Sequence, residues 1–274
     1  MFHSHITSLF HTSRPRFWLY LAGPVLIGGG FPITPGALGL FLFFLIPANL
    51  ILYGINDLYD EDTDSYNLKK ETYETRVTST SQKNILKLAL LVSCALYLIL
   101  LVVSPASIRI LLLIWLALSI GYSAPPIRFK ARPFFDSISN ILYILPGVIA
   151  YTALTGTAPP IEAFISGSCW AIAMHLFSAI PDQVPDTKAG LSTTATTLGT
   201  NGSLIACVVL WLLSSLYATH ISTWGLVMLI YPLIPGALYL RSSTSTQINE
   251  MYWKFPIINT LIGGILFFIR IQFI

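Results

Sequence analysis

The feature that most constrains this chain is a series of apolar segments, each about as long as a lipid bilayer is thick. They fall at roughly 16–34, 37–56, 84–103, 107–124, 137–156, 161–180, 203–219, 223–240 and 254–273. Crossing a ~30 Å hydrocarbon core takes about 20 apolar residues in a helix. No water satisfies the backbone at that depth, so each segment must close its hydrogen bonds within itself. The expectation is one domain over 1–274, an all-α integral membrane protein of nine transmembrane helices bundled around a central cavity. Composition agrees, with 54% hydrophobic and 10% charged residues and a mean hydropathy of +0.72. A soluble domain carries about 25% charged residues, and at this length it could not hide so much apolar surface.

Two expected helices, the first and the fifth, contain Gly23-Pro24 and Pro146-Gly147. Membrane helices tolerate such pairs when neighbours satisfy the freed carbonyls. The split of 203–240 into two spans rests on a turn near His220 to Trp224. Cys94, Cys169 and Cys207 lie inside apolar runs and read as packing residues, neither a disulfide set nor a metal site. Residues 1–16 lack a short apolar core followed by a small-residue cleavage site, so a removable signal peptide is not expected.

Nine spans would put the N-terminus and the loops after spans two, four, six and eight on one side. That side would hold all of the Lys and Arg residues except Arg109 and Arg270, and all of the acids except Glu162. By the positive-inside rule this face is cytoplasmic, in a multi-pass protein of the inner membrane. Topology needs only Lys and Arg, so the acids gathered with them suggest a working mouth on that face. A net charge of +3 is too small to point to nucleic acid, and no obligate protein partner is evident.

The acids are concentrated in Asn56-Asp57-Leu58-Tyr59-Asp60-Glu61-Asp62-Thr63-Asp64, at the end of the second span. On a helix Asp57, Asp60 and Asp64 fall within about 60° of one another, while Asp62 points away. Carboxylates sharing a stripe repel, so a cation should complete the site. A second acidic pair, Asp182 and Asp186, ends the sixth span, with Pro185 making its turn irregular. Acidic helix ends four spans apart suggest, weakly, an internal duplication that would set them across one cavity.

Three polar stripes run into the apolar spans near the same ends. One is Asn49, Tyr53, Asn56, Asp60; another is His175, Ser178, Asp182, Asp186; the third is Asp136, Asn140, Tyr143. Such groups are costly at membrane depth and nearly always face a cavity or a partner, so the stripes should converge on one pocket. Plain structural roles exist for each alone. The acids could cap helices and balance nearby lysines, and His175 could join two helices by a hydrogen bond. Arg128, Lys130 and Arg132 could anchor the chain at an anionic lipid surface.

One ligand class explains both signs of charge. Mg²⁺ takes six oxygen ligands and is usually held by a few carboxylates plus substrate phosphates. A diphosphate bridged to Asp residues through Mg²⁺, its remaining charge met by Lys and Arg, uses every cluster. A Ca²⁺ cage would leave the basic cluster idle, and no Cys/His spacing favours zinc. A divalent-cation transporter would place acids on both faces, whereas the far face has only Glu162.

At Asn56-Asp57-x-x-Asp60-x-x-x-Asp64 the chain resembles the UbiA-type intramembrane prenyltransferases, and the likeness extends over its whole length. Within that family it is most similar to the carotenoid branch, the lycopene elongases and their relatives. The stretches that carry this are Ser13 to Trp18, Asn67 to Glu74, Tyr122 to Asn140, and Phe177 to Asp186 running on to Thr196. Leu68 departs from the Pro expected before Lys69 and Lys70. The Pro-Pro-Ile-Arg-Phe-Lys style of loop is shared with chlorophyll-synthase-like relatives, so the acceptor stays open between a carotenoid, a quinone-precursor ring and a chlorophyllide-like molecule.

The resemblance implies Asp-rich motifs after helices 2 and 6 that hold Mg²⁺ through Asn56, Asp57, Asp60, Asp64, Asp182 and Asp186. It implies that Tyr122 and Lys130 contact the diphosphate of an isoprenyl donor, with Lys70, Arg76, Arg128 and Lys188 as further candidates. The expected reaction moves an allylic group, dimethylallyl for a carotenoid acceptor, through an allylic cation to a lipophilic acceptor. Asn49, Tyr53, Asn140, Tyr143, His175 and Ser178 are the candidates for the cation and acceptor pocket.

Overall fold

A computed structural model describes residues 2–59 and 79–272 of the chain. The expected sites Asp60, Asp64, Lys70 and Arg76 lie outside the described residues. Every regular element that is described is helical. In chain order the α-helices are α1 Phe2–Thr12, α2 Trp18–Gly29, α3 Pro35–Leu45, α4 Pro47–Tyr59, α5 Thr80–Val103, α6 Ala106–Ser123 and α7 Phe135–Ile138. They continue as α8 Leu145–Thr155, α9 Ile161–Ala179, α10 Gln183–Lys188, α11 Thr194–Ile221, α12 Ile230–Leu240, α13 Ser245–Tyr252 and α14 Phe255–Gln272.

Seven stretches among the described residues are long and apolar enough to cross a membrane. They are Pro35–Tyr59, Thr80–Val103, Ala106–Ser123, Phe135–Thr155, Ile161–Lys188, Thr194–Ile221 and Thr223–Leu240. An eighth forms if α13 and α14, bent by 41°, count as one span. The first expected span falls short. α2 has 12 residues, about 18 Å at 1.5 Å per residue, because Gly30 takes φ 65 and prolines follow at 32 and 35. α2 is instead a buried helix, with Leu21, Ala22 and Val25 fully enclosed.

What encloses it is α8. A Cβ on Gly28 would sit 2.0 Å from the Gly147 carbonyl oxygen, and one on Gly147 would sit 2.8 Å from that of Pro24. The two Gly/Pro-bearing helices therefore meet backbone to backbone, the close approach that small residues permit between membrane helices. α9 and α11 are joined by a reciprocal pair of hydrogen bonds. Ser166 Oγ donates to the Ser214 carbonyl and Ser214 Oγ to the Ser166 carbonyl, both at 2.8 Å. By contrast α5 turns Leu91, Leu98, Val102 and Val103 outward, the apolar face expected of a helix against lipid.

Several spans are broken where polar residues need positioning. Pro47 interrupts the α3–α4 span, and the side-chain amide of Asn49 donates to the Phe44 and Leu45 carbonyls at 2.9 and 3.0 Å. Between α7 and α8 the chain winds as a 3₁₀ turn over Ser139–Tyr143. α11 begins at Thr194, ahead of the span expected from about 203. Thr193 and Thr196 form a capping box that starts it early, and Gly199 at φ 66 then kinks it. The expected break after His220 is present, with Ser222 extended between α11 and a 3₁₀ turn.

Candidate active site

Asp57 lies in the last turn of α4 and is 7% exposed. A buried carboxylate needs a partner, and Arg14 supplies one from the N-terminal segment. Its Nη2 is 3.3 Å from Asp57 Oδ1 and 3.4 Å from Asn56 Oδ1. Arg14 itself takes φ 50, a left-handed conformation uncommon for a residue with a side chain. Asn56 turns its amide the other way and donates to Ser123 Oγ at the end of α6, 2.9 Å away. The guanidinium also lies 4.4 Å over the Tyr53 ring, so one residue spans from the carboxylate to the aromatic layer beneath.

Lys130 enters from the 3₁₀ turn Phe129–Ala131, between α6 and α7. Burial pushes its amine down from 10.5 to about 8, an effect the nearby Asp186 partly opposes, while Arg14 adds to it and Asp57 opposes it. Two acidic helix ends, 129 residues apart in sequence, thus act on one lysine. Asp182 closes the 3₁₀ turn Ile180–Asp182, and Asp186 sits in α10, where Thr193 Oγ1 donates to it at 3.5 Å. Arg128, half-buried at φ 42, leads into the Lys130 turn, whereas Lys188 is exposed at the end of α10.

Below this mouth is a cavity walled by Phe17 and Tyr20, by Tyr53, by Asn140 and Tyr143, by Trp170, Ala171, Met174, His175 and Ser178 on α9, and by Tyr252. Tyr53 and Tyr143 join hydroxyl to hydroxyl at 3.0 Å. Tyr122 packs edge-on to His175, with ring centres 5.9 Å apart.

Five of the six residues expected in the pocket, Tyr53, Asn140, Tyr143, His175 and Ser178, line this cavity. Asn49 does not. It is fully buried at the α3–α4 break, where its amide repairs the backbone. Sequence reasoning missed Arg14 as the partner of Asp57, and it missed the wall formed by Phe17, Tyr20, Trp170 and Tyr252. Phe17 and Tyr20 stand three apart, a spacing that puts them on one helix face, and this was the available signal.

Asp136 is 1% exposed. It accepts hydrogen bonds from both the amide and the hydroxyl of Thr194 at the start of α11, and its Oδ2 is 3.9 Å from His175 Nε2. Its own carbonyl accepts from Asn140 Nδ2 at 2.6 Å.

A helical membrane bundle with carboxylates and a half-buried lysine at the mouth of an aromatic cavity has the architecture of an intramembrane prenyltransferase. Residues 17–247 match the model of the UbiA prenyltransferase family; the chain belongs to that family and is a prenyltransferase. It is 44% identical to the lycopene elongase/hydratase of Halobacterium salinarum, covering 93% of this chain and 94% of that one. With the lycopene elongase/hydratase of Corynebacterium glutamicum it shares 31% identity, covering 93% of each. Among solved structures, a UbiA homolog from Archaeoglobus fulgidus bound to DMAPP and Mg²⁺ superposes with a TM-score of 0.73 at 22% identity, covering 97% of this chain and 100% of that one.

Proposed function

We propose that the protein transfers a dimethylallyl group from its diphosphate to an end of lycopene or a related carotenoid. The observation that carries this is the identity of 31–44%, over nearly the full chain, with relatives named lycopene elongase/hydratase. The shape of the site supports it, since an anion-binding mouth opens onto a cavity walled by Phe, Tyr and Trp. The mouth lies on the cytoplasmic face of the inner membrane, where the basic residues gather, and the whole chain acts as one domain.

The donor set fits a hard divalent ion. Asp57, Asp182, Asp186 and Asn56 offer carboxyl and amide oxygens, which suit Mg²⁺. Among the described residues no three His, Cys, Asp or Glu side chains form a complete metal cluster. Asp60 and Asp64, two further oxygen donors, lie outside the described residues. Mg²⁺, held by these residues, would supply Lewis-acid pull on the diphosphate.

The protein's own cations do the rest. Lys130, with Arg128, Tyr122, Lys188 at the end of α10, Lys70 and Arg76, offsets the charge that grows on the diphosphate as the C–O bond breaks. Arg14 is already seated at Asp57 and turns the same charge toward the mouth. Tyr53 and Tyr143 close the floor beneath, shielding the allylic cation from water until the terminal alkene of the acceptor attacks it. The new C–C bond leaves a tertiary cation on the acceptor, which then loses a proton or takes up water.

Expression in a lycopene-producing host, with pigments identified by mass, tests the acceptor. Products heavier by one or two C5 units are expected. Unchanged lycopene would refute the carotenoid reading and direct attention to ring acceptors, since the chain is also 28% identical to a 4-hydroxybenzoate octaprenyltransferase of Paracidovorax citrulli over 74% of its length. In purified protein, EDTA should stop transfer and Mg²⁺ restore it. Undiminished transfer with Asp57 and Asp182 both changed to Ala would overturn the assignment of the motifs.

A further inference from the structure

We infer that His175 is the base that accepts the proton released when the acceptor cation is quenched, and that Asp136 is the positioning residue that holds and charges it. His175 lines the cavity, and its Nε2 faces Asp136 Oδ2 at 3.9 Å. Asp136 is buried, and its carboxylate is met by donors from another helix. Thr194 donates to it from both its amide and its hydroxyl, and these groups begin the 28-residue helix α11, whose N-terminus favours a negative charge. At 3.9 Å the carboxylate is too far for a direct hydrogen bond but close enough to stabilise the imidazolium that forms when the ring takes up a proton.

The balance is simple. After the C–C bond forms, the tertiary cation either loses a proton from a neighbouring carbon, which becomes an alkene carbon, or adds water, whose proton leaves. In both cases one proton goes to His175. Other titratable groups around the imidazole are Tyr122, edge-on to it, and Tyr20, Tyr53, Tyr143 and Tyr252 in the same cavity. None of these is a comparable base near neutral pH.

The inference rests on the transfer reading, and the test separates the two. In nanodiscs, wild-type protein, lycopene and labelled dimethylallyl diphosphate should give labelled C5-extended carotenoid; its absence would sink the transfer reading itself. Given that activity, His175→Gln should lower carotenoid product formation by about 10²–10⁴, with the Kd for dimethylallyl diphosphate within twofold of wild type. The wild-type rate should fall toward acid pH, where a base is lost on protonation, and this limb should vanish in His175→Gln. Asp136→Asn removes the carboxylate that favours the imidazolium, so the limb should move to lower pH. A purely structural Asp136 would lower the rate without moving the limb. If His175→Gln keeps the wild-type rate and acid limb, the inference is wrong, whether or not Asp136→Asn folds.

Discussion

Lys130 offers the sharpest prediction, because its charge is conditional. Burial holds the amine at about 8 in the ligand-free protein, even with Asp186 and Asp57 nearby. A bound diphosphate would add negative charge beside it and raise that value. The sign follows from linkage. Affinity for the diphosphate is nearly complete by pH 7, where about nine amines in ten are protonated, and is lost as the pH rises through the ligand-free value. At pH 9 roughly one amine in ten is still charged, so Kd should steepen toward about tenfold per pH unit above 8. Titrating the protein in nanodiscs with Mg²⁺ and a non-reacting thiolo analogue of dimethylallyl diphosphate, from pH 7 to 9.5, measures the slope. Lys130→Arg should abolish it, since a guanidinium stays charged throughout. Lys130→Met should also flatten it while weakening binding at every pH. A slope that persists unchanged in Lys130→Arg, or a flat wild-type curve, would refute the role given to burial.

Within the first acidic motif, Asp57→Asn should lower kcat/KM for transfer by about 10²–10³, the usual cost of one electrostatic contact in a transition state. Asp62→Asn, which a helical continuation of the motif would set off the stripe of Asp57, Asp60 and Asp64, should stay within about twofold; equal losses in a labelled-transfer assay would sink that contrast. Gly28→Ala drives a Cβ to within 2.0 Å of the Gly147 carbonyl, so α2 and α8 must separate. A cost of about 1–3 kcal/mol or more is expected, read as a lowered Tm in detergent. Gly39→Ala, with open space around the new Cβ, is the control, and equal stability of the two variants would show that the helix contact is not tight.

The positions of the polar residues were legible because a polar group at membrane depth must answer to something. That rule drew Tyr53, Asn140, Tyr143, His175 and Ser178 to one cavity. It failed at Asn49 for a reason equally physical, since a proline break in a membrane helix frees carbonyls and an amide that repairs them looks, in sequence, like one facing a cavity. Arg14 was hidden by distance, because its link to Asp57 joins residues 43 apart through a strained backbone that hydropathy does not reveal. The aromatic wall was hidden by composition. Phe44 and Trp115 fill the core with the same side chains that line the cavity elsewhere. The length of α2 was misjudged because Gly30 and the prolines after it lie inside a segment that is apolar on average.

The vertical order of the site carries a consequence for its substrate. Charged groups occupy the mouth, with Arg14 at Asp57 and Lys130 between the two acidic helix ends. The cavity below is walled mainly by aromatic rings, with Asp136 turned aside toward Thr194 and His175. An isoprenyl diphosphate entering such a site orients itself. Taking its anionic head down among the rings would cost several kcal/mol, while each buried CH₂ of its tail gains about 0.8 kcal/mol. The allylic carbon, one bond from the head, is thereby held at the level where the Arg14 guanidinium lies over Tyr53. In the proposed reaction the cation would form near that level, close to the Tyr53–Tyr143 pair. For the proposed carotenoid acceptor, the reactive alkene must then approach that level end first, an approach open to a long linear hydrocarbon.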